Sequence, residues 1–185
     1  MLVEVRWHGR GGQGIVTVSR LLAQAALLDG KYVQAFPEFG PERAGAPVTG
    51  FTRISDEPIS IHSRIYNPNV VVLVDPTLLG KVDVTQGLVK GGTIVANTEK
   101  EPQALKEDLK VEDIKVYTVN AARIALDILG RPIYNTAMLG ALLKVIPLAS
   151  MNSMIKVVKE RFPGTIGEKN VAVIKRAYKE VKGVE

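Results

Sequence analysis

The sequence contains no cysteine and only two histidines, His8 and His62. Without a thiol there can be no disulfide, no thiolate-held iron–sulfur cluster and no cysteine nucleophile on this chain, so any cluster its chemistry needs belongs to another polypeptide. Two histidines with no acidic cluster beside them make no transition-metal site, and none is expected. Long apolar runs are missing as well. The longest, residues 70–74 and 138–143, fall far short of the roughly 20 residues a membrane-spanning helix needs. Residues 2–6 alternate like a strand and lack the apolar core of a signal peptide. A cytoplasmic chain without a membrane partner is therefore expected. The net charge of +5 favours an anionic partner. The cations are spread along the chain, however, and the densest stretch, residues 169–182, lacks the aromatic interleaving of a stacking platform. It reads as a solvated helix face, and nucleic acid is not expected.

What is present fits an ordinary globular protein. Hydrophobic residues make up 46% and charged residues 23% of 185 positions, enough for a core and too few positions for two independent ones. Residues 1–185 are read as a single domain. Residues 2–8 alternate as a first strand, run into a glycine-rich loop, and give way to a helical pattern over 15–28, with Gly30 just past its end. Residues 31–36 form a second strand. Residues 37–47 hold three prolines and two glycines and read as a loop. Residues 48–55 and 59–62, joined by Asp56-Glu57-Pro58, read as an antiparallel hairpin, so the sheet should be mixed. The β-branched run 70–74 reads as a central strand buried on both faces and parallel to the first. Further strands are expected at 93–96 and 114–119, with a helix at 121–129. From residue 135 onward the pattern is wholly helical: 136–146, 151–161 and 167–182. The expected fold is a three-layer α/β/α domain with a mostly parallel, mixed, Rossmann-like sheet and a helical C-terminal third.

Two loops carry chemical information. Gly9, Gly11 and Gly14 match G-x-G-x-x-G directly after a strand and at the opening of a helix, the context in which backbone N–H groups can hold a pyrophosphate. A dinucleotide site would also need an acidic residue near the end of the second strand. Asp29 falls before that strand, and Glu38 lies just past it in the proline-rich loop, so the main rival reading, a free-standing NAD or flavin oxidoreductase, has only the glycine loop in its support. The same glycine turn also serves close helix packing or a subunit contact. The proline-rich loop carries the trio Glu38, Glu42 and Arg43. Arg43 can clamp a carboxylate or phosphate bidentately and Glu42 can orient it, unless these charges only keep an exposed loop wet. Asn135 stands ahead of a helix, where capping the first turn is its favoured role over direct ligand contact. The absence of an obvious nucleophile, general base or metal set also fits a non-catalytic binding module.

Gly9-Arg10-Gly11-Gly12-Gln13-Gly14, the run Gly40-Pro41-Glu42-Arg43-Ala44-Gly45-Ala46-Pro47-Val48 and Asn135-Thr136-Ala137-Met138-Leu139-Gly140-Ala141, with Arg53-Ile54-Ser55 and Asp75-Pro76 in support, together resemble the gamma subunits of 2-oxoacid:ferredoxin oxidoreductases. The resemblance spans nearly the whole chain and is closest to the pyruvate branch, although related gamma subunits serve 2-oxoglutarate, indolepyruvate or branched-chain oxoacids. It implies a heterotetramer with alpha, beta and delta subunits that turns pyruvate, coenzyme A and oxidised ferredoxin into acetyl-CoA, carbon dioxide and reduced ferredoxin. It further implies that thiamine diphosphate, magnesium and [4Fe-4S] clusters lie on the other subunits, with no catalytic residue on this chain alone. Joined to the phosphate-binding character of the glycine loop, it points to Arg10, Gly11, Gly12, Gln13 and Gly14 as contacts for coenzyme A. Glu38, Glu42, Arg43 and Asn135 are then expected at a subunit boundary or facing the active site.

Overall fold

The computed structural model describes residues 1–38 and 44–184. Among the described residues the chain forms β1 (Leu2–Arg10), α1 (Ile15–Leu28), β2 (Tyr32–Pro37), β3 (Pro47–Ser55), β4 (Val70–Leu73) and β5 (Thr93–Asn97). These are followed by α2 (Pro102–Leu109), β6 (Lys115–Val119), α3 (Ala121–Leu129), α4 (Asn135–Val145), α5 (Met151–Arg161), α6 (Thr165–Glu180) and β7 (Lys182–Val184). The strands make one sheet in the order β2-β3-β1-β4-β5-β6-β7. β1, β4, β5 and β6 are mutually parallel, and β2 points the same way; β3 and β7 run against them. This is the mixed, mostly parallel α/β sheet expected. Among the described residues no helix is long and apolar enough to cross a membrane.

Strand periodicity divides the core between the two faces of the sheet. Val3, Val5 and Trp7 of β1 and Val70, Val72 and Val74 on and after β4 meet residues of α1, α4, α5 and α6 on one side. Val71, Leu73, Ile94, Ala96 and Val116 meet Leu78, Val84 and Leu105 on the other, where α2 and an ordered connection give a thinner layer. α4 is apolar all round because it is the helix packed most deeply, with every residue from Asn135 to Leu143 buried. Its Gly140 lets α6 approach: a Cβ there would lie 2.0 Å from the Ile174 carbonyl oxygen. Arg53, buried in β3, is compensated by Glu4 at 2.7 Å and Gln34 at 3.0 Å across the neighbouring strands.

Three expectations are corrected. Residues 59–62 form no strand, so the hairpin does not exist. β3 is instead an interior strand whose two edges are already filled, by β1 on one side and β2 on the other, leaving no ladder for a further strand. The turn after it is held by Asp56, which pairs with the N-terminal ammonium and with Lys31. The C-terminal third is not wholly helical either: α6 stops at Glu180, and Lys182 to Val184 return along β6. α2, which Pro102 opens at its first turn, was not foreseen as an element.

Candidate functional site

β1 delivers the glycine loop at its C-terminal end, beside the C-terminal end of β4, the region where open α/β sheets hold ligands. Gly14 occupies the N-cap position of α1 with φ 73°, a left-handed conformation, and no side chain caps the helix. A Cβ at Gly14 would lie 2.3 Å from Asn135 Nδ2, so two independent requirements exclude a side chain here. The first N–H groups of α1 have no intrahelical acceptor, and the helix dipole adds partial positive charge at this end.

The loop's polar side chains are bound inward. Gln13 Oε1 accepts from the Arg10 backbone N–H at 2.8 Å, and Gln13 Nε2 donates to Asp75 Oδ2 at 2.6 Å and to the Tyr134 hydroxyl at 3.1 Å. Arg10 donates through Nε and Nη2 to Thr77 Oγ1 and through Nη1 to the Gly45 carbonyl, and its Nε lies 3.2 Å from Asp75 Oδ2. Asp75 also accepts from the Thr77 N–H at 2.8 Å. Partial burial pushes the Asp75 carboxyl up, but the hydrogen bonds from Thr77 and Gln13 and the Arg10 charge outweigh it and hold it below the ordinary carboxylate value. Burial, then the charge of Asp75, raises the Tyr134 hydroxyl. The glycine loop is also laced to the end of the proline-rich loop, by Gly11 N–H to the Ala46 carbonyl at 2.8 Å and Gly45 N–H to the Gly11 carbonyl at 3.1 Å.

Beside this unit lies a cleft of about 740 Å³. One wall is Gly12, Gln13, Gly14, Tyr134 and Asn135; another is apolar, from Leu129, Pro132, Ile133, Phe162 and Ile166. Arg131, Arg161 and Lys169 also line it, and among the described residues the lining contains no carboxylate. Among the described residues none of these three cations has an ion-pair partner. An uncompensated positive rim, an uncapped helix N-terminus and an apolar wall together suit an anion attached to a flat apolar body.

The structure brings Arg10, Gly11, Gly12, Gln13, Gly14 and Asn135 together. Asn135 does not cap its helix: α4 begins at Asn135 itself, Tyr134 holds the cap position, and no side chain caps it. Asn135 Oδ1 instead accepts from the Thr136 N–H at 3.0 Å, and Nδ2 reaches the Gly14 carbonyl at 3.4 Å, tying α4 to the glycine loop. Glu38, at the end of β2, pairs with Arg64 at 2.7 Å. Glu42 and Arg43 lie outside the described residues. The acid that a dinucleotide site requires has no place to stand, because antiparallel β3 separates β2 from β1. Asp29 is spent at the opposite end of α1, accepting from Ser150 and Ser153 at the start of α5. Asp75, Tyr134 and the three cations are the site residues that sequence reading did not single out as such. Only Asp75, closing an apolar run, left a local signal.

Residues 4–180 match the model of the family described as pyruvate ferredoxin/flavodoxin oxidoreductase. The chain is 52% identical over 184 residues to the common gamma subunit of the pyruvate/ketoisovalerate oxidoreductases of Pyrococcus furiosus, with 100% of each chain covered. It resembles the crystal structure of pyruvate oxidoreductase subunit PORC from Thermotoga maritima with a TM-score of 0.89 and 40% identity, covering 100% of this chain and 99% of that one. A likeness of fold alone, at TM-score 0.79 and 19% identity, links it to 2-oxoglutarate:ferredoxin oxidoreductase from Magnetococcus marinus, solved with 2-oxoglutarate, coenzyme A and succinyl-CoA bound, over 96% of this chain and 30% of that one. With the family model matching residues 4–180 and relatives of 40% and 52% identity matched over essentially their full length, this chain belongs to the pyruvate ferredoxin/flavodoxin oxidoreductase family.

Proposed function

We infer that the chain is the gamma subunit of a pyruvate:ferredoxin oxidoreductase, and that it holds coenzyme A for the acyl-transfer step of CoA-dependent oxidative decarboxylation. The observation that carries this reading is the cleft beside the glycine loop. Its size, its three uncompensated cations and its apolar wall match a molecule with a pyrophosphate, a 3′-phosphate and an adenine ring. The coenzyme A bound in the 2-oxoglutarate enzyme of the same fold supports the choice of ligand.

In this reading the phosphates lie between the α1 N-terminus, Arg131, Arg161 and Lys169, with the adenine against Phe162 and Ile166. The chain contributes binding and orientation, which lower the barrier by holding the thiol near its target. It contributes no thiolate for a cluster, since it has no cysteine. Thiamine diphosphate, magnesium, the [4Fe-4S] clusters and the ferredoxin contact belong to alpha, beta and delta partners in a cytoplasmic assembly. Glu38, Glu42 and Arg43 are assigned to the boundary with those partners.

The test uses the assembled complex. Arg161→Gln combined with Lys169→Gln should raise the apparent KM for coenzyme A about tenfold or more while the KM for pyruvate stays within about twofold, since each charge-assisted phosphate contact contributes about 1.5–3 kcal/mol. An unchanged KM for coenzyme A removes the cleft from the reading. A chain that purifies from its host without thiamine- and iron-bearing partners removes the subunit assignment.

A further inference from the structure

We propose that Asp75 is a positioning residue for coenzyme A: by binding Gln13 and Arg10 it sets the glycine loop and the end of the proline-rich loop as one rigid unit. The inference rests on the coenzyme A reading of the cleft and extends it to a residue that does not line that cleft.

Asp75 is 4% exposed. Its Oδ2 is shared between Gln13 Nε2 at 2.6 Å and Arg10 Nε at 3.2 Å, while Oδ1 takes the Thr77 N–H at 2.8 Å. The contacts of the Arg10 guanidinium are organised around this arrangement. Thr77, whose backbone Asp75 fixes, receives Nε and Nη2, and Nη1 is thereby aimed at the Gly45 carbonyl. Arg10 is therefore a strut between loops, with its guanidinium already committed, and the free positive charge of the cleft comes from Arg131, Arg161 and Lys169. Gln13 is held at both ends: Oε1 receives the Arg10 N–H inside the turn, and Nε2 reaches Asp75 and Tyr134. Only a carboxylate at position 75 can accept from Gln13 and the Thr77 backbone and meet the Arg10 charge together without presenting a donor to any of them. An amide there would turn its NH₂ toward the Gln13 amide or the Thr77 N–H. The glycine loop would keep its fold but lose the fixed orientation of its N–H groups, and small misplacements of binding groups are costly in pre-organised sites.

The polarity of the Asp75–Gln13 pair can be inverted, which separates positioning from general stability. In the assembled complex, Asp75→Asn should raise the apparent KM for coenzyme A about tenfold, with kcat at saturating coenzyme A falling less than threefold and the KM for pyruvate within twofold of wild type. Gln13→Glu should do the same by facing two carboxylates. The double variant Asp75→Asn with Gln13→Glu re-forms the hydrogen bond with donor and acceptor exchanged, and its KM for coenzyme A should return to within about threefold of wild type. An unchanged KM in Asp75→Asn overturns the proposal, as does a double variant no better than the worse single one. If Asp75→Asn does not assemble, Gln13→Ala, which leaves the carboxylate and its Arg10 contact in place, must still raise the KM for coenzyme A; a wild-type value there overturns it equally. Should the Arg161 and Lys169 variants also leave that KM untouched, it is the cleft reading that has failed, whereas a null confined to Asp75 and Gln13 sinks only this inference.

Discussion

Acidification from pH 7 to pH 5 should destabilise this chain through one imidazole. His8 is buried on β1, and its Nε2 accepts a hydrogen bond from Arg6 Nε at 2.9 Å, which requires that nitrogen to be unprotonated. Arg6 cannot turn away, because its Nη2 donates to the carbonyls of Val84 and Gln86 at 3.0 and 2.6 Å. Burial, then the charge of Arg6, lowers His8 from 6.5 to about 4, against a smaller opposing pull from Asp83. Above pH 6.5 the imidazole is neutral in both the folded and unfolded chain, and nothing is lost. Between 6.5 and 4 the unfolded chain takes up a proton that the folded chain refuses, so stability falls with pH; below about 4 both are charged and the loss levels off. At about 1.4 kcal/mol per pH unit, the loss is near 1.4 kcal/mol at pH 5.5 and about 3 kcal/mol in full. The aspartates held below 3.8 add their own acid instability below about pH 5, so the window from 6.5 to 5 isolates the histidine. The lone tryptophan, Trp7, is fully buried on the same strand and reports unfolding directly. Urea midpoints followed by its fluorescence should drop between pH 7 and pH 5 in the wild-type chain. In His8→Gln, whose side-chain oxygen can still accept from Arg6 and which does not titrate, they should stay nearly flat. Parallel curves for the two proteins, or an imidazole resonance of His8 titrating near 6.5, would refute the reasoning.

Other outcomes follow from single contacts. Asp29→Ala removes the carboxylate that Ser150 and Ser153 hold at the start of α5, and should cost about 1 kcal/mol, a fall in Tm of about 2–4 °C, with the KM for coenzyme A unchanged. Gly140→Ala forces a methyl to within 2.0 Å of the Ile174 carbonyl and should cost about 3 kcal/mol or more in denaturant titration, because both partners are backbone in packed helices. Gly14→Ala combines a left-handed φ of 73° with a Cβ 2.3 Å from Asn135 Nδ2; it should raise the KM for coenzyme A more than it lowers Tm, measured side by side. Raising salt from 50 to 300 mM should weaken coenzyme A binding in the wild-type complex and weaken it less when Arg161 and Lys169 are both Gln.

The parts of the fold that were legible in the sequence are those whose signal is local and repeated. The strand, glycine turn and helix over residues 2–28 announce themselves because alternation, turn chemistry and helical spacing follow one another without a gap. The run 70–74 reads as a central strand because it is apolar without a break, and β4 forms over Val70–Leu73 with every residue buried. The misread hairpin shows the limit. Asp56-Glu57-Pro58 is good turn chemistry, but whether a strand finds a partner depends on which edges are free, and both edges of β3 were taken by strands distant in sequence. β7 is three residues long and exists only because β6 offers it an edge. The glycine loop of the candidate site was legible for the same reason as β1. Its cations were not, since Arg131, Arg161 and Lys169 come from three separate segments and look, one by one, like any surface charge.

That difference bears on how the site works. The residues most visible in sequence, Arg10 and Gln13, have their hydrogen-bonding capacity consumed inside the chain, by Asp75, Thr77, Tyr134 and Gly45. A group so committed cannot also supply much binding energy to a ligand without breaking what holds it. The groups with capacity to spare are the backbone N–H groups at the start of α1 and the three cations around the cleft, which have no ion-pair partner among the described residues. On the proposed coenzyme A reading, recognition divides into a rigid frame, built from conspicuous motif residues, and an unremarkable-looking set of charges that the frame brings within reach of one ligand. Substituting the frame should therefore raise the KM for coenzyme A while leaving its salt dependence near that of wild type, whereas substituting the charges should raise the KM and flatten its salt dependence.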